Sequence, residues 1–190
     1  MAIVLASQSP RRQELLQRIG VEDFKTLSLD IDESYPEGLS PEDTVRYIAK
    51  KKCDAAAALC APDDLIITAD TMVFLDNDRL GKPRDEEDAL RMLRELAGRG
   101  HTVCTGVSVR RGAQEERFAV STRVFFRPAT DDEIRAYIKT GEPMDKAGAY
   151  GVQSRGALFV ERIDGDFFNV MGLPVEQLGL VLARFGVKLL

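Results

Sequence analysis

The chain has 190 residues, 44% of them hydrophobic, enough to bury a proper core in one globular domain or in two closely packed lobes. With 26 basic against 31 acidic residues the net charge is −5, so the global positive field of non-specific nucleic-acid binders is absent and any phosphate site must be local. Three cysteines without C-x-x-C spacing and a single histidine argue against zinc and against a disulfide framework, and no segment approaches membrane-spanning length; a cytoplasmic protein is expected.

Ile3, Val4 and Leu5 read as a short strand that runs into Ala6-Ser7-Gln8-Ser9-Pro10-Arg11-Arg12. Ser9 suits a helix N-cap and Pro10 the first helical position; Leu15, Leu16 and Ile19 supply one apolar face, and Gly20 stops the helix. The hydroxyls of Ser7 and Ser9 and the guanidinium groups of Arg11 and Arg12 thus crowd a helix start, whose free N–H groups and positive dipole end invite a phosphate. Taken alone, the stretch reads sooner as a capped surface helix with solvated arginines.

A second strand is expected from Phe24 to Leu29, followed by a polar loop through Asp30, Ile31, Asp32 and Glu33 to Pro41, whose acids either face water or ligate Mg²⁺. From Pro41 to about Cys60 the positions of Val45, Ile48, Ala49, Ala56 and Leu59 form a helical stripe. Lys52, one turn after Ile48, sits on that stripe. Its ammonium either snorkels to solvent, the commoner fate, or meets an anion inside.

Asp70 lies within an apolar run, with Leu65, Ile66 and Ile67 before it and Met72, Val73, Phe74 and Leu75 after it, the pattern of a strand buried on both faces. An unpaired ionised carboxylate in low dielectric costs on the order of several kcal/mol, so Asp70 either faces a wet cleft or holds a cation. The alternative is a strand that ends at Thr68, with Asp70 turning the chain. Asp76, Asn77 and Asp78 then make a turn, and Leu80-Gly81-Lys82-Pro83 brings a cation back.

Asp85 to Ala97 reads as an acid-started helix that packs through Leu93, Leu96 and Ala97. Thr102 to Val109 and Arg117 to Phe126 alternate as paired strands joined across Arg111, Gly112 and Ala113. His101 opens the first of these strands and reads as a strand-edge residue rather than a catalyst, and as the only histidine it leaves no second imidazole for a Ser-His-Asp triad elsewhere or for a His-based metal site. Asp131 to Lys139 is a further helix with Ile134, Tyr137 and Ile138 inward. The glycine-rich stretch from Gly141 to Gln153, with Asp145 and Lys146 adjacent, either lets backbone approach a ligand closely or is a plain surface loop. A strand from Leu158 to Ile163, a turn at Asp164-Gly165, and Asn169 to Pro174 lead into a last helix through Leu178, Val181 and Leu182.

Arg11, Arg12, Lys52, Lys82 and Lys146 lie on separate segments, and Glu33, Asp70 and Asp145 supply carboxylates, the composition of a polyphosphate and Mg²⁺ site. Neither a G-x-x-x-x-G-K-[ST] loop nor a G-x-G-x-x-G after a strand is present, so side chains and the first helix would hold the phosphates. The segments Ser7 to Arg12, Ala69-Asp70-Thr71, Leu80 to Pro83, Asp145 to Gly151 and Asn169 to Pro174 resemble, in order, the signature segments of the Maf family of nucleoside triphosphate pyrophosphatases.

That resemblance implies an α/β fold with a mixed curved sheet and flanking helices, two lobes around a cleft, related to the inosine triphosphate pyrophosphatases and spanning residues 1–190 as one domain. It implies hydrolysis of a nucleoside triphosphate between the α and β phosphates with a divalent metal, Mg²⁺ or alternatively Mn²⁺ or Co²⁺, and no nucleic-acid or membrane partner. The fold's relatives make a homodimer reasonable. Ser7, Ser9, Arg11, Arg12, Lys52, Lys82 and Lys146 would bind phosphate; Glu33 and Asp70 would hold the metal. Asp70 would act as general base toward water, or chiefly as metal ligand.

Positions matching Arg12, Thr71 and Gln153 resemble Trp, Gln and Glu in the family's 7-methyl-GTP subgroup, a set suited to a cationic purine. None of the three stands here. The amide of Gln153 can match the O4 and N3–H edge of uracil or thymine, which implies dTTP or UTP, with modified pyrimidines sharing that edge. A competing class is a nucleotide- or partner-binding regulator of septum formation without turnover. An inosine-type purine triphosphate pyrophosphatase is a third reading.

Overall fold

The computed structural model describes residues 1–76 and 78–190; Asn77, placed by its sequence in a turn, lies outside the described residues. The elements in chain order are β1 (Ile3–Leu5), α1 (Pro10–Arg18), β2 (Phe24–Thr26), α2 (Pro41–Ala57), β3 (Leu65–Leu75), β4 (Asp78–Leu80), α3 (Glu86–Leu96), β5 (Gly100–Arg111), β6 (Gln114–Phe126), α4 (Asp131–Ile138), β7 (Val160–Asp164), α5 (Phe167–Met171) and α6 (Val175–Arg184). The strands form a mixed sheet in the order β2-β1-β3-β5-β6-β7, with β4 paired to β3, so the expected α/β class is borne out. Two compact units are present. The first comprises Met1–Asp70, Thr105–Val120 and Gly172–Leu190, and the second Thr71–Cys104 and Ser121–Met171.

In the first unit β1 pairs in parallel with both β2 and β3, placing Leu5 level with Thr26 and with Ile67. Three strand ends therefore point the same way. Ser7 to Ser9 leaves the end of β1, the acidic loop leaves the end of β2, and β3 continues to Asp70, so the three meet at the C-terminal edge where open α/β sheets present ligand sites. Leu15 and Leu16 of α1 and Val45, Ile48, Ala49, Cys53 and Ala56 of α2 are buried. Ser40 caps α2 by accepting the Asp43 N–H, and Pro41 occupies the first turn.

In the second unit β4 folds back antiparallel on β3, with Val73 opposite Leu80, and β7 pairs antiparallel with β6. α3 packs on α4, each entered through a side-chain cap: Asp85 accepts from the Asp88 N–H, and Thr130 with Glu133 makes a reciprocal capping box. Asn169 of α5 is fully buried and donates to the Val103 carbonyl and the Thr122 hydroxyl, fastening α5 to β5 and β6. Among the described residues no helix is long and apolar enough to cross a membrane.

Several expectations need correction. β2 ends at Thr26 rather than Leu29, and Asp78 opens β4 rather than completing a turn. α2 ends at Ala57, which leaves Leu59 off the apolar stripe and 67% exposed. Leu158 precedes β7 and is exposed. His101 stands at the start of β5, as expected, but it is buried: β5 lies between β3 and β6, and the ring packs on Phe126 and Tyr150, with Nε2 2.8 Å from the Tyr150 hydroxyl. Burial, helped by Arg123, pushes its imidazole down to about 3, so it stays neutral and inert at physiological pH.

Candidate functional site

In the first unit the ammonium of Lys52 lies 2.8 Å from Asp70 Oδ1 and 2.9 Å from Glu33 Oε1. Lys52 therefore meets an anion instead of snorkelling outward. The side chains of Lys52 and Asp70 are 14% and 9% exposed, and Glu33 is 48% exposed, so the cluster runs from a nearly buried acid to an open one. Asp70 Oδ2 is buried and has no hydrogen-bond partner among the described residues, although a carboxylate accepts several. β3 does not stop at Thr68. It carries Asp70 in mid-strand, and Asp70 is not sealed, keeping 6% of its surface accessible.

Two contacts set the position of Lys52. The fully buried Thr68 donates its hydroxyl to the Ala49 carbonyl at 2.7 Å. Asp70 follows Thr68 by two residues on the same strand face, and Lys52 follows Ala49 by three on the same helix face, so this bond brings acid and ammonium into register. Behind it, α2 lies directly on β5 at Gly106, where a Cβ would stand 2.3 Å from the Val45 carbonyl carbon and oxygen. Only glycine permits that approach.

Arg12 Nε donates to the Gly172 carbonyl at 2.8 Å, and its Nη1 donates to the Ser7 hydroxyl at 3.2 Å. Burial pushes this guanidinium below its ordinary value; Asp70 pulls it back up, Arg11 pushes it further down, and Glu33 pulls it up. It remains a cation coupled to both acids of the cluster. The Ser7 hydroxyl also accepts the Ser9 N–H at 3.2 Å, whereas Ser9, at the N-cap of α1, makes no side-chain capping bond. Ser7, rather than Ser9, is thus the hydroxyl that shapes this loop, and Arg11 beside it is half-buried.

The second unit carries the remaining sequence-predicted residues. Thr71 is half-buried in β3, Lys82 is exposed after β4, and Gln153 is exposed in the glycine-rich loop. Lys146 is held within that loop, donating to the Glu142 carbonyl and to Asp145 Oδ1, each at 2.6 Å. The structure thus brings together Ser7, Arg12, Glu33, Lys52 and Asp70, and ties Lys146 to its own loop.

The description "Maf-like protein" belongs to a family model that matches residues 2–185. The chain belongs to this family. Among its relatives, the dTTP/UTP pyrophosphatase of Bacillus velezensis is 47% identical over 186 residues, covering 98% of this chain and 97% of that one. The dTTP/UTP pyrophosphatase of Pelotomaculum thermopropionicum is 46% identical over 190 residues, covering 99% and 98%. Among solved structures, a HAM1 protein from Coxiella burnetii superposes with a TM-score of 0.56 at 14% identity, covering 97% of this chain and 99% of that chain. The Staphylococcus aureus Ham1 protein gives 0.54 at 14%, covering 97% and 100%. Those two likenesses concern the fold.

Within the Maf-like segments, the bond from Arg12 to the Gly172 carbonyl joins the first segment to the last, a link no pattern of residue types displays. Thr68, Gly106 and Glu142 were missed from the sequence. Thr68 is a polar residue in an apolar run one turn of pleat before the acid, the signal that could have found it. Gly106 offered the lesser clue of a glycine inside an alternating strand.

Proposed function

We propose that this chain hydrolyses dTTP and UTP between the α and β phosphates, releasing the nucleoside monophosphate and pyrophosphate in the cytoplasm. The observation that carries the reading is Lys52 between Asp70 and Glu33, with one buried oxygen of Asp70 left over. Such a carboxylate is poorly suited to stability alone and well suited to accept a proton or a cation. Relatives 46% and 47% identical over nearly their full length, named dTTP/UTP pyrophosphatases, support the substrate class.

In this reading Asp70 accepts the proton of the water that attacks the α-phosphorus. Arg12, Lys52, Lys82 and Lys146, with Arg11, Ser7 and Ser9 at the start of α1, neutralise and orient the triphosphate as pyrophosphate leaves. Thr71 and Gln153 select the pyrimidine, Gln153 by an uncharged donor and acceptor pair. The donor set fits a hard divalent cation. Among the described residues no three or more His, Cys, Asp or Glu side chains are placed to hold a metal ion by themselves; Asp70 and Glu33 would hold Mg²⁺ together with oxygens of the substrate and water. Bound there, the cation would supply charge stabilisation on the phosphoryl oxygens.

The test is pyrophosphate release across UTP, dTTP, CTP, GTP and ITP with Mg²⁺, using Asp70→Asn as the control. UTP and dTTP are expected to lead, with the control silent. Stoichiometric binding without turnover, or ITP turned over faster than UTP, would sink the proposal.

A further inference from the structure

The glycine-rich loop of the second unit is closed by one carboxylate that the function above leaves unused. Glu142 Oε1 accepts from the Tyr137 hydroxyl at 2.8 Å, the Ser154 hydroxyl at 2.7 Å and the Gly156 N–H at 3.2 Å, while Oε2 accepts the Arg155 N–H at 3.2 Å. Its own carbonyl accepts from Lys146 at 2.6 Å, and the Tyr137 hydroxyl accepts the Gly151 N–H at 3.1 Å. One residue at the start of the loop therefore gathers three donors at its far end, from Ser154, Arg155 and Gly156, and the cation in its middle.

The packing under this clamp is tight. A Cβ on Gly156 would lie 2.6 Å from the Gly151 carbonyl oxygen and 2.8 Å from the Tyr137 hydroxyl. Ala149 holds a φ of 60°, a left-handed backbone that a residue with a Cβ keeps only where its surroundings impose it. Burial would raise the Glu142 carboxyl, but hydrogen bonds from Ser154, Tyr137, Gly156 and Arg155 outweigh it and hold the group below its ordinary value, so it stays ionised and acceptor-only.

We propose that Glu142 is the positioning residue for base selection: by fixing Ser154, Arg155 and Gly156 it holds the adjacent Gln153 in one backbone setting, and through its carbonyl it aims Lys146. The proposal rests on the reading of Gln153 as the side chain that selects the O4 and N3–H edge of uracil or thymine. Gln153 and Ser154 are both exposed, and beside the weak bond from the Ser154 N–H to the Gly151 carbonyl at 3.4 Å and that from the Ala157 N–H to the Ser154 carbonyl at 3.0 Å, the Glu142 carboxylate is what ties this stretch back to the start of the loop. In Glu142→Gln an amide –NH₂ must face either Arg155 N–H or the other donors, so donor meets donor and part of the clamp opens.

The experiment compares kcat/KM for UTP and CTP in the wild type, Glu142→Gln, Ser154→Ala, Gln153→Ala and the Glu142→Gln/Gln153→Ala pair, alongside amide hydrogen exchange at Gly151, Arg155 and Gly156. Glu142→Gln is expected to lower the UTP:CTP ratio about tenfold, and Ser154→Ala about threefold. The pair should discriminate no worse than Gln153→Ala alone, and exchange in Glu142→Gln should speed at the three amides. An unchanged ratio in folded Glu142→Gln, or equal losses for both nucleotides, overturns the proposal. Should that variant fail to fold, an unchanged ratio in Ser154→Ala does so. A wild type without preference for UTP over CTP, or a Gln153→Ala variant that keeps that preference, overturns the reading of Gln153 and this inference with it, whereas a wild-type preference lost in Gln153→Ala but kept in Glu142→Gln and Ser154→Ala overturns only the role of Glu142.

Discussion

Asp70, in the middle of β3, and Asp88, in the first turn of α3, are equally buried at 6% exposure, yet their surroundings differ in kind. Asp88 is saturated by neighbours within four residues. Its Oδ1 accepts from Arg91 Nε and Nη2 at 3.1 and 2.8 Å, and its Oδ2 accepts from the Arg84 N–H and Nε at 3.1 and 3.2 Å. Asp70 has one ammonium, reaching from 18 residues away, and an oxygen left over. Burial alone does not mark a working carboxylate. Under the proposed function, what sets Asp70 apart is the combination of burial with incomplete, long-range satisfaction: a helix start completes its own acid, as at Asp88, whereas a mid-strand acid depends on what the fold brings to it.

Exchanging each acid for its amide sharpens the contrast most. Asp70→Asn keeps the volume and removes the basic charge, and turnover of UTP at saturating Mg²⁺ should fall by about 10³-fold or more, within the range for a lost general base. Circular dichroism should show the same fold. Near-normal turnover would make Asp70 as structural as Asp88.

Removing the cation is the next largest perturbation. Lys52→Met leaves Asp70 and Glu33 facing each other without their bridge, which should lower kcat/KM about 10²-fold by loss of charge stabilisation. Denaturant unfolding should show a cost of roughly 3 kcal/mol, the low end for breaking a buried pair, since both partners keep a little solvent. Adding Asp70→Asn to Lys52→Met should restore most of that stability while leaving the enzyme inactive. Additive losses would mean that the two groups are not coupled.

A smaller effect is expected where the acid and its lysine are held in register. Thr68→Val deletes the hydroxyl that bonds the Ala49 carbonyl and should lower kcat about tenfold, at a stability cost of about 1–2 kcal/mol for the abandoned acceptor. Thr68→Ser, which keeps the hydroxyl, should recover most of the rate. Equal kinetics in Val and Ser variants would show that α2 is placed by packing at Gly106 alone.

How much of this was legible beforehand follows from the range over which each feature is determined. The helices α2 and α4 were readable because their apolar positions repeat within a few residues, Val45, Ile48 and Ala49 in the one and Ile134, Tyr137 and Ile138 in the other, whereas the caps at Ser40 and at Thr130 with Glu133 emerge from the structure. Asp70 stood out as an acid in an apolar run, and Lys52 as a cation on an apolar stripe, but the snorkelling expectation failed because nothing in α2 reports that β3 presents a carboxylate there. The position of His101 at the start of β5 was legible, but its burial was not, for a related reason: whether β5 is central or at an edge depends on β3 and β6, not on the residues around His101. The roles of Thr68 and Glu142 are sums of contacts from several segments, visible only once those segments are placed.

Asp88 supplies the smallest and most discriminating test. Hydrogen bonds from Arg91, then from the Arg84 backbone and side chain, hold its carboxyl down to about 2, against an ordinary value of 3.8. A carboxyl that is more acidic in the folded than in the unfolded chain contributes stability that is fully present above pH 4 and is lost as the pH falls toward 2. Asp32 and Glu133 are also lowered to about 2, so acid unfolding of the wild type reports several groups at once, and only the difference between wild type and Asp88→Asn isolates this one. That difference should be about 1 kcal/mol at pH 7, kept small by the solvent around both arginines, and should shrink toward zero as the pH drops through the same window. UTP turnover should stay within about twofold of wild type, as for other replacements away from reacting groups. A tenfold loss of turnover in Asp88→Asn would mean that a locally saturated acid can still carry chemistry, and the distinction between the two carboxylates would have to be drawn on other grounds.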